Sequence, residues 1–356
     1  MIIIMKPEAP REELEKIIAQ ASSYEGITPK PVHGEGQSII GLVGDTRLVP
    51  EHAFEKNPYV QHVQRVSSKY KLVANVPGHD NVRVKVNGFE IGGGDLVMMI
   101  GPCAVEDREQ IMTAARLVSE LPRGNHITGY VLRGGAFKPR TNPHDFQGTG
   151  LEGVKWMREA GTQYDLPIVT EVVDPRHIEK LYSLGVNVFQ VGARNSQNFE
   201  LLKELGHQDR PVLLKRAMSG SIDELLGAAE YVVEKGNKNV ILCLRGIKGI
   251  DMTYTRNVVD VGDVSVVQKK TCLPVVYDPS HSSGARDLVL DIALQAIVGG
   301  ADGLLVDMHP NPEHAKCDGP QSLYPKQAFG LARAANTAKQ MYNAAREQYC
   351  RGEDAK

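Results

Sequence analysis

The chain has 356 residues, with 41 Lys and Arg set against 43 Asp and Glu for a formal net charge of −2. So even a balance supplies no overall field for nucleic acid or an anionic membrane, and a polyanionic ligand would have to meet local clusters of cations. The length suits a barrel of about 250 residues with a small second unit, and no apolar run approaches the roughly 20 residues of a membrane span.

The segment Met1-Ile2-Ile3-Ile4-Met5-Lys6-Pro7 lacks the basic region, long apolar stretch and cleavage site of a secretory signal. It reads instead as a short strand at residues 1–5. Leu14, Ile17, Ile18 and Ala21 recur at helical spacing over residues 10–21, followed by a strand at 38–43 and a short helix at 49–54. A strand at 60–66 and extended chain at 70–76 follow, and this mix of short strands and helices predicts a small ferredoxin-like α+β domain over residues 1–75. No chemistry is evident in it: His33, His52 and His62 are expected at its surface rather than as ligands. Residues 76–94 are read as a linker, Pro77-Gly78-His79-Asp80-Asn81, and a β-hairpin turning at Asn87-Gly88 that caps one end of the next domain.

From residue 95 to 347 the pattern becomes apolar strand, loop, amphipathic helix. Strands are predicted at 96–100, 129–132, 167–170, 186–191, 212–214, 240–242, 273–276 and 303–306. Helices are predicted at 108–121, 151–164, 175–184, 199–205, 222–234, 288–298 and 326–347, while residues 246–267 give no clear pattern. Short apolar strands alternating with helices imply a parallel sheet covered on both faces. Eight of them imply a (β/α)8 TIM barrel, with its functional face at the C-terminal ends of the strands. A doubly wound open sheet is the competing α/β architecture, but no G-x-G-x-x-G follows any strand. Residues 348–356 read as a polar tail.

The strand ends carry the chemistry. The loop after the second barrel strand places Arg133, Lys138, Arg140 and Thr141 on a Gly- and Pro-stiffened turn, a set suited to phosphate. Arg194, Lys215-Arg216 and Arg245 follow the fourth, fifth and sixth strands. Cys103 follows the first strand, Asp278-Pro279-Ser280-His281 the seventh, and Asp307 and Asp318 the eighth. Taken singly, Cys103 has a plainer role as a small buried residue, His281 as a loop histidine and Asp318 as a helix cap. Gathered on one rim, thiolate, imidazole and carboxylates suit Zn, Fe, Mn or Co, and the thiolate argues against Mg or Ca. The five cysteines are too widely spaced for a disulfide framework, so a reducing cytoplasm is the expected location.

In order along the chain stand Ile91-Gly92-Gly93-Gly94, Gly101-Pro102-Cys103-Ala104-Val105-Glu106, residues 132–141, Gln190-Val191-Gly192-Ala193-Arg194-Asn195, Leu214-Lys215-Arg216, Asp278-Pro279-Ser280-His281 and His309-Pro310-Asn311-Pro312. With these motifs the chain resembles the 3-deoxy-D-arabino-heptulosonate 7-phosphate (DAHP) synthases, in particular the short-chain beta subclass with an N-terminal ferredoxin-like domain. The resemblance implies condensation of phosphoenolpyruvate (PEP) with erythrose 4-phosphate, releasing phosphate and opening the shikimate route to aromatic amino acids. It implies a divalent metal ion (Mn, Zn, Fe or Co) on Cys103, His281, Asp307 and Asp318. PEP would be bound by Arg133, Lys138, Arg194, Lys215 and Arg245, and erythrose 4-phosphate by Lys138, Pro139, Arg140 and Thr141. Lys138, His281 and Cys103 would take part in catalysis. A homo-oligomer, dimer or tetramer, and an aromatic amino acid effector acting through residues 1–75 are further implications.

The chain departs from the family pattern at several positions. Asp307 stands where a longer Glu is usual, Leu244 replaces the Glu of Cys-Glu-Arg-Gly, Ala217 replaces a Gly, and a Ser-Asp-Ser run reads Cys317-Asp318-Gly319. The loop around Ser280-His281-Ser282 is one residue longer. No phosphate-binding cation is lost. Two alternatives stay open on the residues alone: a related PEP-aldose condensing enzyme with another aldehyde acceptor, and a non-catalytic PEP-binding homologue.

Overall fold

A computed structural model of the chain describes residues 1–33, 38–46, 49–64, 70–76, 80–140 and 142–353. It divides into two compact units, Met1–Lys71 with Val76–Asp80, and Leu72–Asn75 with Asn81–Lys356.

In the first unit β1 (Ile2–Met5), α1 (Arg11–Ser22), β2 (Thr28–His33), β3 (Ser38–Val43), α2 (His52–Glu55) and β4 (Val60–Gln64) follow one another. The sheet runs β2-β3-β1-β4 with every neighbouring pair antiparallel, the expected ferredoxin-like arrangement. Period-2 alternation sorts the first strand: Met1, Ile3 and Met5 pack with Leu14 and Ile17 of α1 and Phe54 of α2, while Ile2 and Ile4 join Ile39 on the opposite face. The expected elements omit β2 because two prolines mask it. Pro29 and Pro31 are tolerated there because β2 is an edge strand, where a missing N–H leaves no ladder bond unmade. His52 and His62 are exposed, whereas the His33 side chain lies outside the described residues.

The second unit opens with a hairpin, β5 (Val84–Val86) and β6 (Phe89–Ile91), turning through Asn87 at φ 38° and Gly88 at φ 89°. Two successive positive φ values are what a two-residue hairpin turn matched to strand twist requires. Eight parallel strands then form a closed barrel. They are β7 (Leu96–Gly101), β8 (Ile127–Arg133), β9 (Ile168–Glu171), β10 (Val188–Val191), β11 (Val212–Lys215), β12 (Val240–Leu244), β13 (Val275–Tyr277) and β14 (Gly303–Asp307). Closure comes from β14 pairing with β7, from Gly303 opposite Val97 to Asp307 opposite Gly101.

Val97, Met99, Val131, Val169, Val188, Leu213, Ile241, Val276 and Leu305 fill the barrel interior, and Val84, Val86 and Ile91 of the hairpin belong to the same cluster. The hairpin sits at the N-terminal ends of the strands, where Asn187, just ahead of β10, donates through Nδ2 to Asn87 Oδ1 at 3.0 Å.

Around the barrel lie α3 (Arg108–Ser119), α4 (Gly150–Gln163), α5 (Ile178–Ser183), α6 (Phe199–Gly206), α7 (Ile222–Glu234), α8 (Asp263–Lys270), α9 (Pro279–Ser283), α10 (Val289–Val298) and α11 (Pro325–Glu353). Their starts are chemically marked: Asp107 caps α3 by accepting from Gln110 N, and Ser221 with Glu224 forms a capping box on α7. Three helices differ from expectation, the first being α9, a short helix where the sequence offers only a strand-end loop around His281. The unpatterned stretch contains the start of α8, a short helix with only Val264 and Val267 buried and β-branched residues that weaken its helical signature. The last helix continues through Glu353, past the expected start of a polar tail at residue 348.

Gly101, Arg133, Glu171, Lys215 and Asp307 are the final residues of their strands, so they share the C-terminal rim. The rim strands approach closely enough to demand glycine at one point: a Cβ on Gly101 would lie 2.2 Å from the Arg133 carbonyl oxygen. Gly101→Ala is therefore expected to destabilise the barrel by roughly 1–3 kcal/mol through overpacking. Denaturant unfolding followed by the fluorescence of Trp156, the single tryptophan and a residue of α4, measures this for the barrel alone.

Candidate active site

The rim encloses a cavity of about 330 Å³ whose wall includes Arg133, Lys138, Arg140, Arg194, Lys215, Arg245, Lys248 and Arg256, with Glu171 and Asp318 as its carboxylates. Every cation expected to meet PEP is in that wall, as are Pro139 and Arg140. Thr141 lies outside the described residues. Arg216, expected on the rim beside Lys215, turns the other way, as strand alternation requires, and pairs with Asp260 at 2.9 Å and Asp263 at 2.6 Å.

Charge buried this deeply needs a partner. Arg133 and Lys215, only 3% and 4% exposed, have one each: Asp307 for the guanidinium and Asp278 for the ammonium. Burial opposes the charge on Arg133, yet Asp307 and its other neighbours hold its pKa above the ordinary value. Arg245 is different. It is 4% exposed, its Nη2 donates to the His281 carbonyl at 3.3 Å, and its Nε and Nη1 have no hydrogen-bond partner among the described residues. Burial pulls its pKa down from the usual guanidinium range. The residue before it, where the family pattern has Glu, is the fully buried Leu244. A guanidinium left with two open donors beside a cavity is a receptor for an anion.

Next to these cations, Cys103, His281, Asp307 and Asp318 each bring a donor atom within 4.8 Å of the others. Cys103 follows β7, and Asp307 closes β14. Asp318 sits in a left-handed conformation (φ 54°) ahead of a 3-10 turn at Gly319–Gln321. His281 is carried by α9, whose N-cap, Asp278, accepts from the His281 backbone N–H at 2.8 Å and holds the ring Nδ1 at 2.9 Å. The opposite ring nitrogen, Nε2, is thereby turned toward Cys103 Sγ at 4.0 Å and Asp318 Oδ2 at 3.6 Å. A carboxylate fixing one imidazole nitrogen so that the other faces a thiol and a carboxylate fits a divalent transition metal.

The local fields are strong. Burial opposes charge on the His281 ring, but Asp278 raises its pKa above the usual histidine value. Asp278 itself is buried, yet His281 and Lys215 hold its carboxyl well below the ordinary range. Asp318 behaves alike, with His281 and Arg256 outweighing burial. The Cys103 thiol is pushed well up by its hydrogen bond with Cys317 and by burial, whereas the same hydrogen bond lowers Cys317. Lys138 Nζ lies 3.1 Å from both Cys103 Sγ and the Cys103 carbonyl oxygen. Burial works against its charge, but the two sulfurs keep its pKa above that of an ordinary lysine.

Several residues of the site escape sequence reasoning. Lys248, Arg256 and Asn257 come from the loop between β12 and α8; Arg256 Nη1 donates to Asp318 Oδ1 and Gln321 Oε1, both at 2.9 Å, and Asn257 Nδ2 to the His281 carbonyl at 2.7 Å. Gln321 Nε2 also donates to Asp307 Oδ2 at 2.6 Å. A firm placement of α8 would have exposed the first three as strand-end residues.

The family model for DAHP synthetase I matches residues 78–344, and that for the DAHP synthase ferredoxin-like domain matches residues 1–68. Phospho-2-dehydro-3-deoxyheptonate aldolase of Thermotoga maritima is 40% identical over 323 residues, covering 91% of this chain and 93% of that protein. A crystal structure of phospho-2-dehydro-3-deoxyheptonate aldolase (DAHP synthase) from Thermotoga maritima matches with a TM-score of 0.74 at 38% identity, covering 96% of this chain and 98% of the other. 2-Dehydro-3-deoxyphosphooctonate aldolase of Francisella tularensis subsp. novicida is 27% identical over 254 residues, covering 67% of this chain and 90% of that protein. The chain belongs to the DAHP synthetase I family, enzymes that condense PEP with erythrose 4-phosphate to give DAHP and phosphate.

Asp278 ties Lys215 and His281 together, so Asp278→Asn is expected to cost about 3–5 kcal/mol by leaving buried charge unanswered. Because the folded pKa of Asp278 is depressed, its contribution is fully present above the ordinary carboxylate pKa and is lost as pH falls toward the folded value. The stability gap between native and variant chains is then full at about pH 7 and narrows only below about pH 4, as unfolding curves across that range will report.

Proposed function

We propose that this member of the family joins C3 of PEP to the aldehyde carbon of erythrose 4-phosphate within the rim cavity, with the cations of that cavity holding both phosphates. The open donors of buried Arg245 are the observation that carries this reading. Arg133, Lys138, Arg194, Lys215 and Arg245 bind the phosphate and carboxylate of PEP, so its three negative charges enter where cations are already set. Arg140 and Thr141, with Lys138 and Pro139, hold the phosphate of the aldehyde. As the C–C bond forms, the PEP double bond supplies the electron pair and the aldehyde oxygen takes a proton from Lys138, whose ammonium stays charged at neutral pH. Water adds at C2, and the tetrahedral phosphohemiketal expels inorganic phosphate.

Donors drawn from Cys103, His281, Asp307 and Asp318 would hold a divalent metal ion, which when bound would supply Lewis-acid polarisation of the aldehyde oxygen. Cys103 and His281 thus act by holding that centre, and Asp278 fixes the ring nitrogen through which His281 does so. Five free thiols accord with a reducing, cytoplasmic setting. The chain assembles as a homo-oligomer, dimer or tetramer, and residues 1–75 form an effector module for an aromatic amino acid, a role supported by the match of residues 1–68 to the family's ferredoxin-like domain.

Phosphate release from PEP with a panel of aldehydes tests the reaction. Erythrose 4-phosphate is expected to be the best acceptor, chelation to abolish turnover, and inhibition by tyrosine or phenylalanine to vanish when residues 1–75 are deleted. Preference for a five-carbon phosphoaldose would overturn the acceptor assignment, and PEP binding without turnover on any aldehyde would overturn the reaction. In the same assay Lys138→Met should lower kcat by about 10²–10⁴, the range for a lost proton donor. Arg140→Ala should instead raise KM for the aldehyde, leaving KM for PEP unchanged, because it removes binding to one substrate alone.

A further inference from the structure

One thiol of the rim has no part in the assignments above. Cys317 is 4% exposed, and its Sγ lies 3.5 Å from Cys103 Sγ and 3.4 Å from Asp318 Oδ2. Cys103 Sγ and Asp318 Oδ2 stand 3.0 Å apart and face His281 Nε2 together. The two sulfurs are free thiols, far beyond the roughly 2.05 Å of a disulfide. Two thiolates sharing one tetrahedral zinc through bonds of about 2.3 Å would sit roughly 3.8 Å apart, close to the spacing found here.

Asp307 is placed differently. Its Oδ1 accepts from Arg133 Nη1 and its Oδ2 from Gln321 Nε2 at 2.6 Å. That Oδ2 approaches His281 at Nδ1, 3.5 Å away, on the side of the ring already held by Asp278. Cys103 and Asp318 lie toward the other nitrogen, the one left open to a ligand. Both oxygens of Asp307 are thus held by nitrogen donors, whereas Asp318 keeps only Oδ1 on Arg256 and turns Oδ2 to the two thiols.

We propose that Cys317 supplies a second thiolate to the metal, alongside Cys103, His281 and Asp318, while Asp307 acts as counter-ion to Arg133. The proposal rests on the reading of this rim as a metal centre. It makes the donor set two sulfurs, one nitrogen and one oxygen, a soft set that favours Zn, Co(II) or Fe over Mn and Mg. Both thiols give up their protons to solvent as the ion binds, so loading is proton-linked.

The test uses the full chain stripped of metal and titrated with Co(II), read by the sulfur-to-cobalt charge-transfer absorption in the near ultraviolet. The native chain is expected to bind one equivalent, with the band falling by about half in Cys317→Ser and little changed in Asp307→Asn. One equivalent bound by Cys317→Ser with the band at native intensity overturns the Cys317 assignment and leaves the metal centre standing. No cobalt bound by the native chain overturns both. X-ray absorption of the unmutated zinc-loaded chain guards against a variant that does not fold: two sulfur scatterers at about 2.3 Å support the proposal, and one overturns it.

Discussion

Buried positive charge must be answered by negative charge, and the rim of this barrel is organised around that requirement. Arg133 is answered by Asp307, Lys215 by Asp278, and half-exposed Arg256 by Asp318. Each of these carboxylates also brings an oxygen into the donor cluster around His281 or touches its ring. The anion-binding half and the donor half of the site are therefore one electrostatic system. Changing a charge in either half changes the field in the other.

Asp278 shows how secondary structure enforces this coupling. As N-cap of the short helix α9 it fixes the backbone that carries His281, and the same carboxylate fixes the ring and answers Lys215. Local folding, imidazole orientation and cation burial are thus set by one side chain. Arg245 stands as the exception in the wall, buried beside Leu244 with two donors open. In the proposed reaction that exception is the seat of the incoming anion.

Much of this is legible in the chain because barrels obey simple periodicities. Apolar runs locate the eight strands, and the residues just past each run bring together Cys103, Arg133, Lys138, Arg194, Lys215, Arg245, His281 and Asp318 from sequence alone. The elements that stay hidden do so for physical reasons. Two prolines disguise β2, acceptable only because its outer edge needs no ladder bonds. A β-branched run weakens α8, and with its start uncertain the loop carrying Lys248, Arg256 and Asn257 cannot be assigned to the rim. Pairings such as Arg133 with Asp307, separated by 174 positions, leave no local trace at all. The thiol at Cys317 shows in the sequence only as a departure from a Ser, since nothing in its neighbours states which way its sulfur points.

The hairpin β5–β6 carries a last consequence. Its valines and Ile91 are driven into the lower end of the barrel like a stopper, locked in place by the tight turn at Asn87-Gly88. A barrel corked below has a single doorway, the rim itself. Both reactants must enter, and both products leave, by the face on which they react, since the packed interior and the hairpin leave no passage beneath it.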